Sequence, residues 1–331
     1  MKILFVIQDF ALPSSRVRVL NLIPELEKNG IQCFAIPYPR KMLARLRLYL
    51  QCRNADMVVI QKRLISPINL LVIRLLSKHL AFDFDDAIYT KQQSNQVLTN
   101  KTRYKKFKNI IRKSDLILAG NRVLAKMAEP FNKHVAIIPS AVEVRGIPTK
   151  THATVGNHIV IGWVGTAVNL PYLELLAPTL QRLAKDYPIE LRIICSESIQ
   201  IQGINLRFIP WTLESQEQEI AQFDIGIMPL PDSEHAAGKC GYKALQYMAA
   251  AVPAVASDVG INNEIISHMQ DGMLAQRIDD FYPALHYLIT QPEERKRLGL
   301  AGRARVEQSY SIESVARELT KILSAEISTK P

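Results

Sequence analysis

Short, wholly apolar runs alternate with longer amphipathic segments along this chain, and this alternation restricts the fold more than any other feature. The first run, Lys2–Gln8 (KILFVIQ), is typical of a strand buried on both faces of a parallel sheet. Further strands are predicted at Ile31–Ile36, Met57–Gln61, Leu80–Phe84, Asp115–Ala119, Val135–Pro139, His158–Val164, Glu190–Cys195, Asn205–Ile209, Ile225–Met228 and Ala254–Ser257. Helical patterns lie between them at Pro67–Ser77, Leu173–Lys185 and Phe281–Ile289, and an amphipathic helix follows at Ile312–Ile327. The alternation predicts an α/β chain with two Rossmann-like, doubly wound domains.

A polar stretch, Glu143–Asn157, interrupts the alternation near the middle of the chain. We place a linker there and expect an N-terminal domain over residues 1–150 and a second domain over residues 151–310. The remaining residues, 311–331, form the last helix. A length of 331 residues also suggests two domains.

Composition excludes several classes of protein. No apolar run reaches membrane-spanning length, and the start MKILFVIQDF is expected to be a core strand because it lacks a separate basic region and a cleavage site. The four cysteines (Cys33, Cys52, Cys195 and Cys240) are scattered, which fits a reducing cytosol and argues against structural zinc.

Charge is distributed unevenly. The net charge is +10, but residues 1–155 alone carry 26 Lys and Arg against 10 Asp and Glu, so the remainder is negative. A basic first half predicts that one domain meets an anionic surface.

The stretch Ala236–Ser257 (AAGKCGYKALQYMAAAVPAVAS) combines a Gly-rich turn, a helix and a short β-prone run. Gly238 and Gly241 are expected to loosen the first turn and leave backbone N–H groups for an anion. The residues predicted to share the ligand-facing side of the helix are Lys239, Lys243, Gln246 and the small Ala250. The stretch therefore predicts a pocket wall for a diphosphate.

The sequence GKCGYKALQYMAAAVPAVASDVGINNEI, residues 238–265, resembles the nucleotide-sugar signature of glycosyltransferase family 4. Glu264-Ile265-Ile266 and Gly272-Met273-Leu274 continue the family's order. The common form has two glutamates where this chain has Gly238 and Gln246, but a subgroup with the pattern GK-C/S-G-x-K-x-x-Q-Y-M-A is similar. The resemblance implies the GT-B architecture, in which two Rossmann-like domains face a central cleft and the last helix crosses back to the first domain.

The resemblance also implies which residues hold the donor. Many relatives carry Arg and Lys after the turn at Gly165, where this chain has Ala167-Val168-Asn169-Leu170, so we assign the diphosphate to Lys239 and Lys243. Glu234 is expected to meet the sugar or ribose hydroxyls, and Arg16 the phosphates, although each could equally be a solvated side chain. The complete predicted donor-binding set is Arg16, Gly165, Thr166, Glu234, Gly238, Lys239, Cys240, Gly241, Lys243, Gln246 and Glu264.

Two carboxylates are candidates for catalysis. Asp85 and Asp86 follow the strand Leu80–Phe84, where the family places a polar group near the donor sugar. Either could accept a hydroxyl proton or stabilise an oxocarbenium-like centre. An alternative is helix N-capping by one of them. A second alternative is a metal held by the D-x-D of Asp83 and Asp85, which belongs to the GT-A architecture and which the GT-B resemblance disfavours.

Two basic amphipathic stretches, Pro39–Arg53 and Lys101–Lys113, suit an anionic bilayer. In the second, Tyr104, Phe107 and Ile111 form one stripe among seven basic residues. The alternative is that this stripe packs on the sheet and the lysines are solvated. No nucleic-acid module accompanies the charge, so nucleic acid is not an expected partner.

We therefore expect a glycosyltransferase that moves a hexose from a UDP- or GDP-sugar onto a cell-envelope, polysaccharide or lipid-linked acceptor. The family resemblance implies that it retains the anomeric configuration and needs no metal. The nucleotide diphosphate sugar is a substrate, and no cofactor is expected. The predicted location is the cytoplasm, peripheral on the inner face of the cell membrane. Two alternatives stay open: a nucleotide-sugar 2-epimerase of the same fold, and a non-catalytic nucleotide-sugar-binding subunit, which Gly238 and Gln246 would suit.

Overall fold

The computed structural model describes residues 1–93, 96–151 and 158–329. Strands of the first part are β1 (Lys2–Ile7), β2 (Gln32–Pro37), β3 (Met57–Gln61), β4 (His79–Phe84), β5 (Thr90–Gln93), β6 (Gln96–Thr99), β7 (Leu116–Ala119) and β8 (Val135–Ile137). Its helices are α1 (Pro13–Ser15), a π-helix at Arg16–Leu20, α2 (Ile23–Lys28), α3 (Met42–Asn54), α4 (Pro67–Leu76), α5 (Lys101–Lys113) and α6 (Arg122–Ala128).

The later part repeats the alternation of strands and helices. Its strands are β9 (Ile159–Val164), β10 (Ile189–Cys195), β11 (Asn205–Pro210), β12 (Ile225–Met228), β13 (Ala254–Ser257) and β14 (Met273–Ala275). Its helices are α7 (Leu170–Glu174), α8 (Ala177–Asp186), α9 (Gln216–Ile220), α10 (Glu234–Ala237), α11 (Tyr242–Ala249), α12 (Asn262–Ile265), α13 (Phe281–Thr290), α14 (Pro292–Ser309) and α15 (Ile312–Ser328). Short 3-10 turns lie at Ala167–Asn169 and Ile278–Asp280.

The chain forms two compact units that are not contiguous in sequence. The first unit contains Met1–Ala141, Ser233–Cys240 and the segment from Ile312 onward, and the second contains Val142–Asp232 and Gly241–Ser311. The chain first passes between them from Ala141 to Val142, just before the predicted linker Glu143–Asn157. Residues 152–157 of that linker lie outside the described residues.

Each unit is built on a six-stranded parallel sheet. The strand order is β2-β1-β3-β4-β7-β8 in the first unit and β11-β10-β9-β12-β13-β14 in the second. The direction of winding reverses between β1 and β3 in the first sheet and between β9 and β12 in the second. Ligands of open α/β sheets bind at the carboxyl ends of the strands beside such a reversal. The predicted class, two doubly wound Rossmann-like halves, is confirmed.

The C-terminal helix α15 completes one face of the first unit. Its buried residues Ile312, Val315, Ala316, Leu319 and Leu323 join a core cluster that includes β1 and α2. The helix also contacts α2 directly. A helix distant in sequence thus covers this side of the first sheet.

The two basic stretches differ in how they use their apolar residues. On α5, Phe107 and Ile111 are fully buried in the core of the first unit, and Tyr104 packs against that core. The expectation that this stripe meets a bilayer is therefore wrong, because it covers the sheet instead. On α3, by contrast, the apolar residues Met42, Leu43, Leu46 and Leu50 are exposed.

The long helix α14 has no counterpart among the predicted elements. Its sequence is rich in arginine and glutamate and carries Gly299 and Gly302, so it shows no apolar stripe of ordinary width. Both glycines are buried, and a Cβ at Gly302 would lie 2.8 Å from the carbonyl oxygen of Asp271 and 3.2 Å from Cγ of Met248. The helix packs on α11 through this glycine, because a small residue lets the two elements approach closely.

Candidate functional site

The two aspartates predicted to be catalytic lie directly after β4. Asp85 is 3% exposed and Asp86 is half-buried. Both pair with one cation, since Nζ of Lys62 is 2.9 Å from Oδ1 of Asp85 and 2.8 Å from Oδ2 of Asp86. Lys62 follows β3, which is the neighbour of β4 in the parallel sheet, and Gln61 is in register with Asp83. The carboxyl ends of adjacent strands thus bring the three side chains together.

Lys62 adopts an unusual backbone conformation. Its φ is 56°, in the left-handed region that non-glycine residues rarely occupy. Its backbone N–H donates to the carbonyl oxygen of Asp83 at 2.6 Å. Such strain costs on the order of 1–3 kcal/mol and persists only where the surroundings hold it in place. The strained backbone turns the Lys62 side chain toward the two aspartates.

A second buried ion pair lies beside the first. The Arg18 guanidinium, on the π-helix, pairs with the carboxylate of Asp83, and Nη1 of Arg18 donates to the carbonyl oxygen of Ile138 at 2.6 Å. Single π-turns of this kind are frequent at functional sites. Arg18, Lys62, Asp83, Asp85 and Asp86 together form what we call the charged cluster. It holds three carboxylates against two cations.

Electrostatics favour the charged forms of Asp85 and Lys62, whereas burial raises the pKa of Asp83. Burial acts to raise the pKa of Asp85, but the charges of Lys62 and Arg18 outweigh it and bring that pKa below its ordinary value. Burial likewise acts to lower the pKa of Lys62, and Asp85 and Asp86 raise it well above the usual range. Lys62 therefore stays protonated at any physiological pH.

The sequence leaves two alternatives for these aspartates, helix N-capping and metal binding. N-capping is wrong, because residues 87–93, directly after Asp86, are not helical. The chain turns there, and the Ile88 N–H donates to the Asp86 carbonyl oxygen at 2.7 Å. The metal hypothesis requires the carboxylates of Asp83 and Asp85, which are paired with Arg18 and Lys62 respectively. In the part of the chain that the structure describes, no group of three or more potential metal ligands is found.

The segment Ser233–Cys240 also belongs to the first unit. It contains α10, so Glu234 and His235 lie on a short helix and not in the predicted loop. Glu234 is exposed, whereas Nδ1 of His235 is 3.0 Å from Oγ1 of Thr90. Burial and the nearby charge of Lys239 lower the pKa of His235. The segment is held against the end of β4.

Gly238 is buried against the residue that follows the two aspartates. A Cβ at position 238 would lie 2.8 Å from Cβ of Ala87 and 3.1 Å from its backbone nitrogen. A glutamate, which the common form of the family signature has here, would not fit without movement of the backbone. Gly238 ends α10 and does not loosen the first turn of α11, contrary to the sequence-based expectation.

Asn121 connects the same segment to the first sheet. Its Nδ2 donates to the carbonyl oxygen of Lys239 at 3.1 Å, while its Oδ1 accepts from the Leu124 N–H and caps α6. Lys239 precedes Gly241, the N-cap of α11, so the prediction that it shares a helical face with Lys243 and Gln246 is wrong. Cys240, the next residue, is half-buried.

Helix α11 in the second unit begins with a glycine that the backbone requires. Gly241 has a φ of 66° and supplies no side chain to cap the helix. A Cβ there would also lie 2.8 Å from Cγ2 of Ile261. The apolar face of α11 is buried as predicted, but Ala250 is buried too, so the expectation that it faces a ligand is wrong.

Lys243, on the first turn of α11, lies over an aromatic ring at the end of β9. Its Nζ is 5.5 Å from the ring centroid of Trp163, which is buried. Gly165 lies beside this pair, and a Cβ there would be 2.5 Å from the indole and 2.8 Å from Cε of Lys243. The turn at Gly165 thus leaves room for the lysine, which lies beside the reversal of strand order between β9 and β12. Thr166 is exposed and accepts from Nδ2 of Asn169 at 2.9 Å.

The amide of Gln246 is engaged within the second unit. Its Nε2 donates to Oε1 of Gln216 at 3.2 Å, and the same oxygen accepts from Nε1 of Trp211 at 3.0 Å. Tyr247, on the buried side of α11, accepts from the Val164 N–H and donates to the Ile227 carbonyl oxygen, both at 3.1 Å. These contacts fix α11 against β9 and β12.

Arg16 and Glu264 are the remaining predicted donor residues. Arg16 begins the π-helix, is half-buried and forms no ion pair with any side chain in the described ranges. Glu264 is half-buried on α12, and its carbonyl oxygen accepts from Nη2 of Arg305 at 2.7 Å and from the hydroxyl of Tyr310 at 3.1 Å. The structure therefore groups Asp85 and Asp86 with Lys62, and Gly165 with Lys243.

Sequence reasoning missed Arg18, Lys62, Asn121, Trp163 and Gln216 as contributors. Lys62 carried a usable signal, because it directly follows the apolar strand MVVIQ as Asp85 follows LAFDF. The partnership of Trp163 with Lys243 carried none, since 80 positions separate the two residues along the chain.

Known proteins that resemble this chain have the same fold. Residues 158–291 match the family model "Glycosyl transferases group 1". A search of curated proteins by sequence found no match. Among solved structures, sucrose-phosphate synthase from Thermosynechococcus elongatus is similar, with a TM-score of 0.74, 13% identity and coverage of 99% of this chain and 100% of that one.

Two further structures have the same fold. HepE from Anabaena, solved with UDP and glucose, has a TM-score of 0.72 and 13% identity over 98% of this chain and 100% of its own. The lipopolysaccharide outer core galactosyltransferase WaaB has a TM-score of 0.68 and 15% identity over the same shares. The predicted GT-B fold is thus confirmed, and the match of residues 158–291 supports a glycosyltransferase of group 1.

Proposed function

We propose that this protein is a retaining glycosyltransferase that transfers a hexose from a UDP- or GDP-sugar. The observation that carries the proposal is the placement of Lys243 over Trp163, beside Gly165 and the first turn of α11, within the segment that matches the group 1 family model. A cation and the first turn of a helix whose N-cap, Gly241, supplies no capping side chain suit a diphosphate at the carboxyl end of β9.

The role of Lys243 follows from the negative charge that develops on the leaving group during sugar transfer. Cleavage of the sugar–phosphate bond leaves negative charge on the nucleoside diphosphate, and a cation already held in position stabilises it without reorganisation. The Trp163 ring restricts Lys243, and the absence of a side chain at Gly165 keeps the space beside its Cε open. Lys243 is therefore the leading donor-binding residue. Gln246, whose amide is engaged by Gln216, is assigned to positioning α11.

Asp86 is the better of the two catalytic candidates. Lys62 pairs with both carboxylates, but Asp86 is half-buried whereas Asp85 is 3% exposed. We assign to Asp86 the acceptance of a hydroxyl proton or the stabilisation of a positively charged sugar centre, and to Asp85 the retention of Lys62. The proposed roles of Arg16, Glu234, Lys239 and Cys240 at the donor rest on the family resemblance alone.

UDP-sugars are the first donors to test, because HepE was solved with UDP and glucose. The acceptor we propose is a glycan or lipid-linked molecule of the cell envelope, and the proposed location is peripheral on the membrane. The seven basic residues of α5, which form no ion pair with a carboxylate among the described residues, support that location. No helix within the described residues is long and apolar enough to span a bilayer.

The test is release of nucleoside diphosphate by the purified protein from a panel of UDP- and GDP-sugars, with and without lipid extract as acceptor. Acceptor-dependent release with the anomeric configuration conserved, seen by NMR, is the expected result. Free sugar isomerised without an acceptor would identify a 2-epimerase instead.

A non-catalytic nucleotide-sugar-binding subunit is the second candidate, because Gly238 leaves no room for the glutamate of the common signature. Stabilisation by a nucleotide sugar in a thermal-shift assay without turnover on any acceptor would favour this candidate. Absence of both binding and turnover across the panel would contradict both candidates.

A further inference from the structure

Seven apolar side chains on α3 and α4 face solvent. Met42 and Leu43 on α3 are 77% and 79% exposed, and Ile68 and Leu75 on α4 are 76% and 74% exposed. The full set is Met42, Leu43, Leu46, Leu50, Ile68, Leu71 and Leu75. Their spacing of three and four residues puts each group on one side of its helix. Single exposed leucines need no explanation, but a group on adjacent helices marks an interaction surface.

These apolar side chains are not displaced core residues. The opposite sides of the same helices are already buried, through Leu48 and Cys52 on α3 and through Leu70 and Ile73 on α4. The hydroxyl of Tyr49 donates to Oδ1 of Asn69 at 3.0 Å and joins the two helices. Helix α4 in turn contacts α5. The exposed side chains therefore lie on the outer surface of three consecutive packed helices.

The same three helices carry only positive charge. Seven basic residues lie on α5, three on α3 and one on α4, and none of the three contains Asp or Glu. No basic residue of α5 forms an ion pair with a carboxylate in the described part of the chain. A groove of about 820 Å³ between the start of α4 and α5 is lined mainly by basic side chains, among them Lys101, Lys105 and Lys106.

We propose that the outward sides of α3 and α4, together with the basic groove of α5, dock on an anionic phospholipid bilayer. This inference specifies the surface responsible for the proposed membrane location and does not require sugar transfer. The leucines and methionine would enter the acyl boundary, and the groove would hold phosphate head groups. We call these residues the docking surface.

Charge and shape favour a bilayer over other occupants. A second copy bound symmetrically through the docking surface would bring like charges together, which is unfavourable. A nucleic acid would pair with the lysines but would leave the seven apolar side chains in water. An anionic bilayer meets both, because it offers negative phosphates next to an apolar interior.

The test is co-flotation of the full chain with vesicles of phosphatidylcholine alone or with added phosphatidylglycerol. We expect binding to the anionic vesicles only, and weaker binding as salt rises, because screening limits the attraction to about 8 Å at physiological ionic strength. Free inorganic phosphate at millimolar concentration should not compete. Competition by phosphate would show a site for a free anion and overturn the docking surface.

Two sets of variants separate the electrostatic from the hydrophobic contribution to vesicle binding. Changing Lys101, Lys105 and Lys106 to Glu should lower the vesicle partition coefficient by at least about 100-fold, since the loss of each lysine alone costs about fivefold and each glutamate adds repulsion. Changing Leu46, Leu50 and Ile68 to Ser should remove the binding that survives high salt. None of these side chains is buried, so we expect both variants to fold like the wild type, which circular dichroism checks.

The matched controls lie in the second unit. Lys185→Glu with Lys296→Glu reverses exposed charge, and Leu300→Ser removes an exposed leucine, so both should float like the wild type. Equal flotation of control and docking-surface variants would overturn the proposal. So would binding to RNA with no binding to anionic vesicles. Neither outcome depends on whether sugar transfer is detected, so the proposed activity is judged separately.

Discussion

Replacing Lys62 by Met should destabilise the first unit strongly. The substitution keeps the aliphatic stem but leaves Asp85, which is 3% exposed, without the cation 2.9 Å away. Removing one partner of a buried ion pair costs about 3–5 kcal/mol, because the other charge stays buried and unpaired. Lys78→Met is the control: Lys78 pairs with Asp56 at 3.0 Å but is largely exposed, so its loss should cost at most about 1 kcal/mol.

The pH dependence of the stability loss in Lys62→Met tests whether the unpaired Asp85 carboxylate causes it. In the wild type the pKa of Asp85 lies below its ordinary value, so its contribution is complete at neutral pH and is lost as pH falls below about 4. Without Lys62, burial dominates and raises the folded-state pKa. The penalty should then be full at pH 7.5 and shrink toward pH 5, by up to about 1.4 kcal/mol per pH unit.

The assay is thermal and urea unfolding followed by circular dichroism between pH 5 and pH 7.5. Tryptophan fluorescence is unsuitable for the first unit, because Trp163 and Trp211 both belong to the second. Adding Asp85→Asn to the Lys62→Met variant should restore much of the stability at pH 7.5. A loss below about 1 kcal/mol, or one that stays constant with pH, would refute the reasoning.

Three further predictions concern activity. Lys243→Ala should lower kcat/KM for the donor by about 10- to 100-fold with little loss of stability, since one charge-assisted contact to a diphosphate is worth about 1.5–3 kcal/mol; a folded variant with wild-type rates would rule the role out. Gly165→Ala should lower donor affinity, measured by calorimetric titration, because its Cβ would lie 2.8 Å from Cε of Lys243; unchanged affinity would contradict this reason for the glycine. Turnover should survive EDTA, because Asp83 and Asp85 are paired with Arg18 and Lys62; loss restored by manganese would revive the metal hypothesis.

Most of the strand–helix order could be predicted because buried parallel strands are apolar throughout. Runs such as Met57–Gln61 and Ile225–Met228 have the predicted bounds in the structure. Helix α14 was not predictable in this way, because its contact with α11 depends on Gly302 and not on a broad apolar stripe. The burial of Phe107 and Ile111 was also undetermined, since an amphipathic stripe has the same pattern whether it meets a core or a bilayer.

Residues of the candidate site could be predicted only where the neighbouring sequence alone identifies them. Asp85 and Lys243 could be named because each follows a recognisable strand or turn. Lys62 could not be paired with Asp85 before the neighbouring positions of β3 and β4 were known. Lys239 was misplaced because periodicity alone extended the helix back through Gly241, whose left-handed φ begins it.

The interrupted connectivity of the two units has a consequence for biosynthesis. The first unit is begun at Met1, yet the apolar residues of α15 that cover α2 and β1 belong to residues 312–328. Until α15 has been synthesised, Val19, Leu22 and Leu26 stay partly exposed to solvent. The nascent domain therefore exposes an apolar surface that is prone to aggregation. The unit that starts first is therefore finished last. A protein truncated before Ile312 should depend on chaperones or aggregate, even though every strand of both sheets is present.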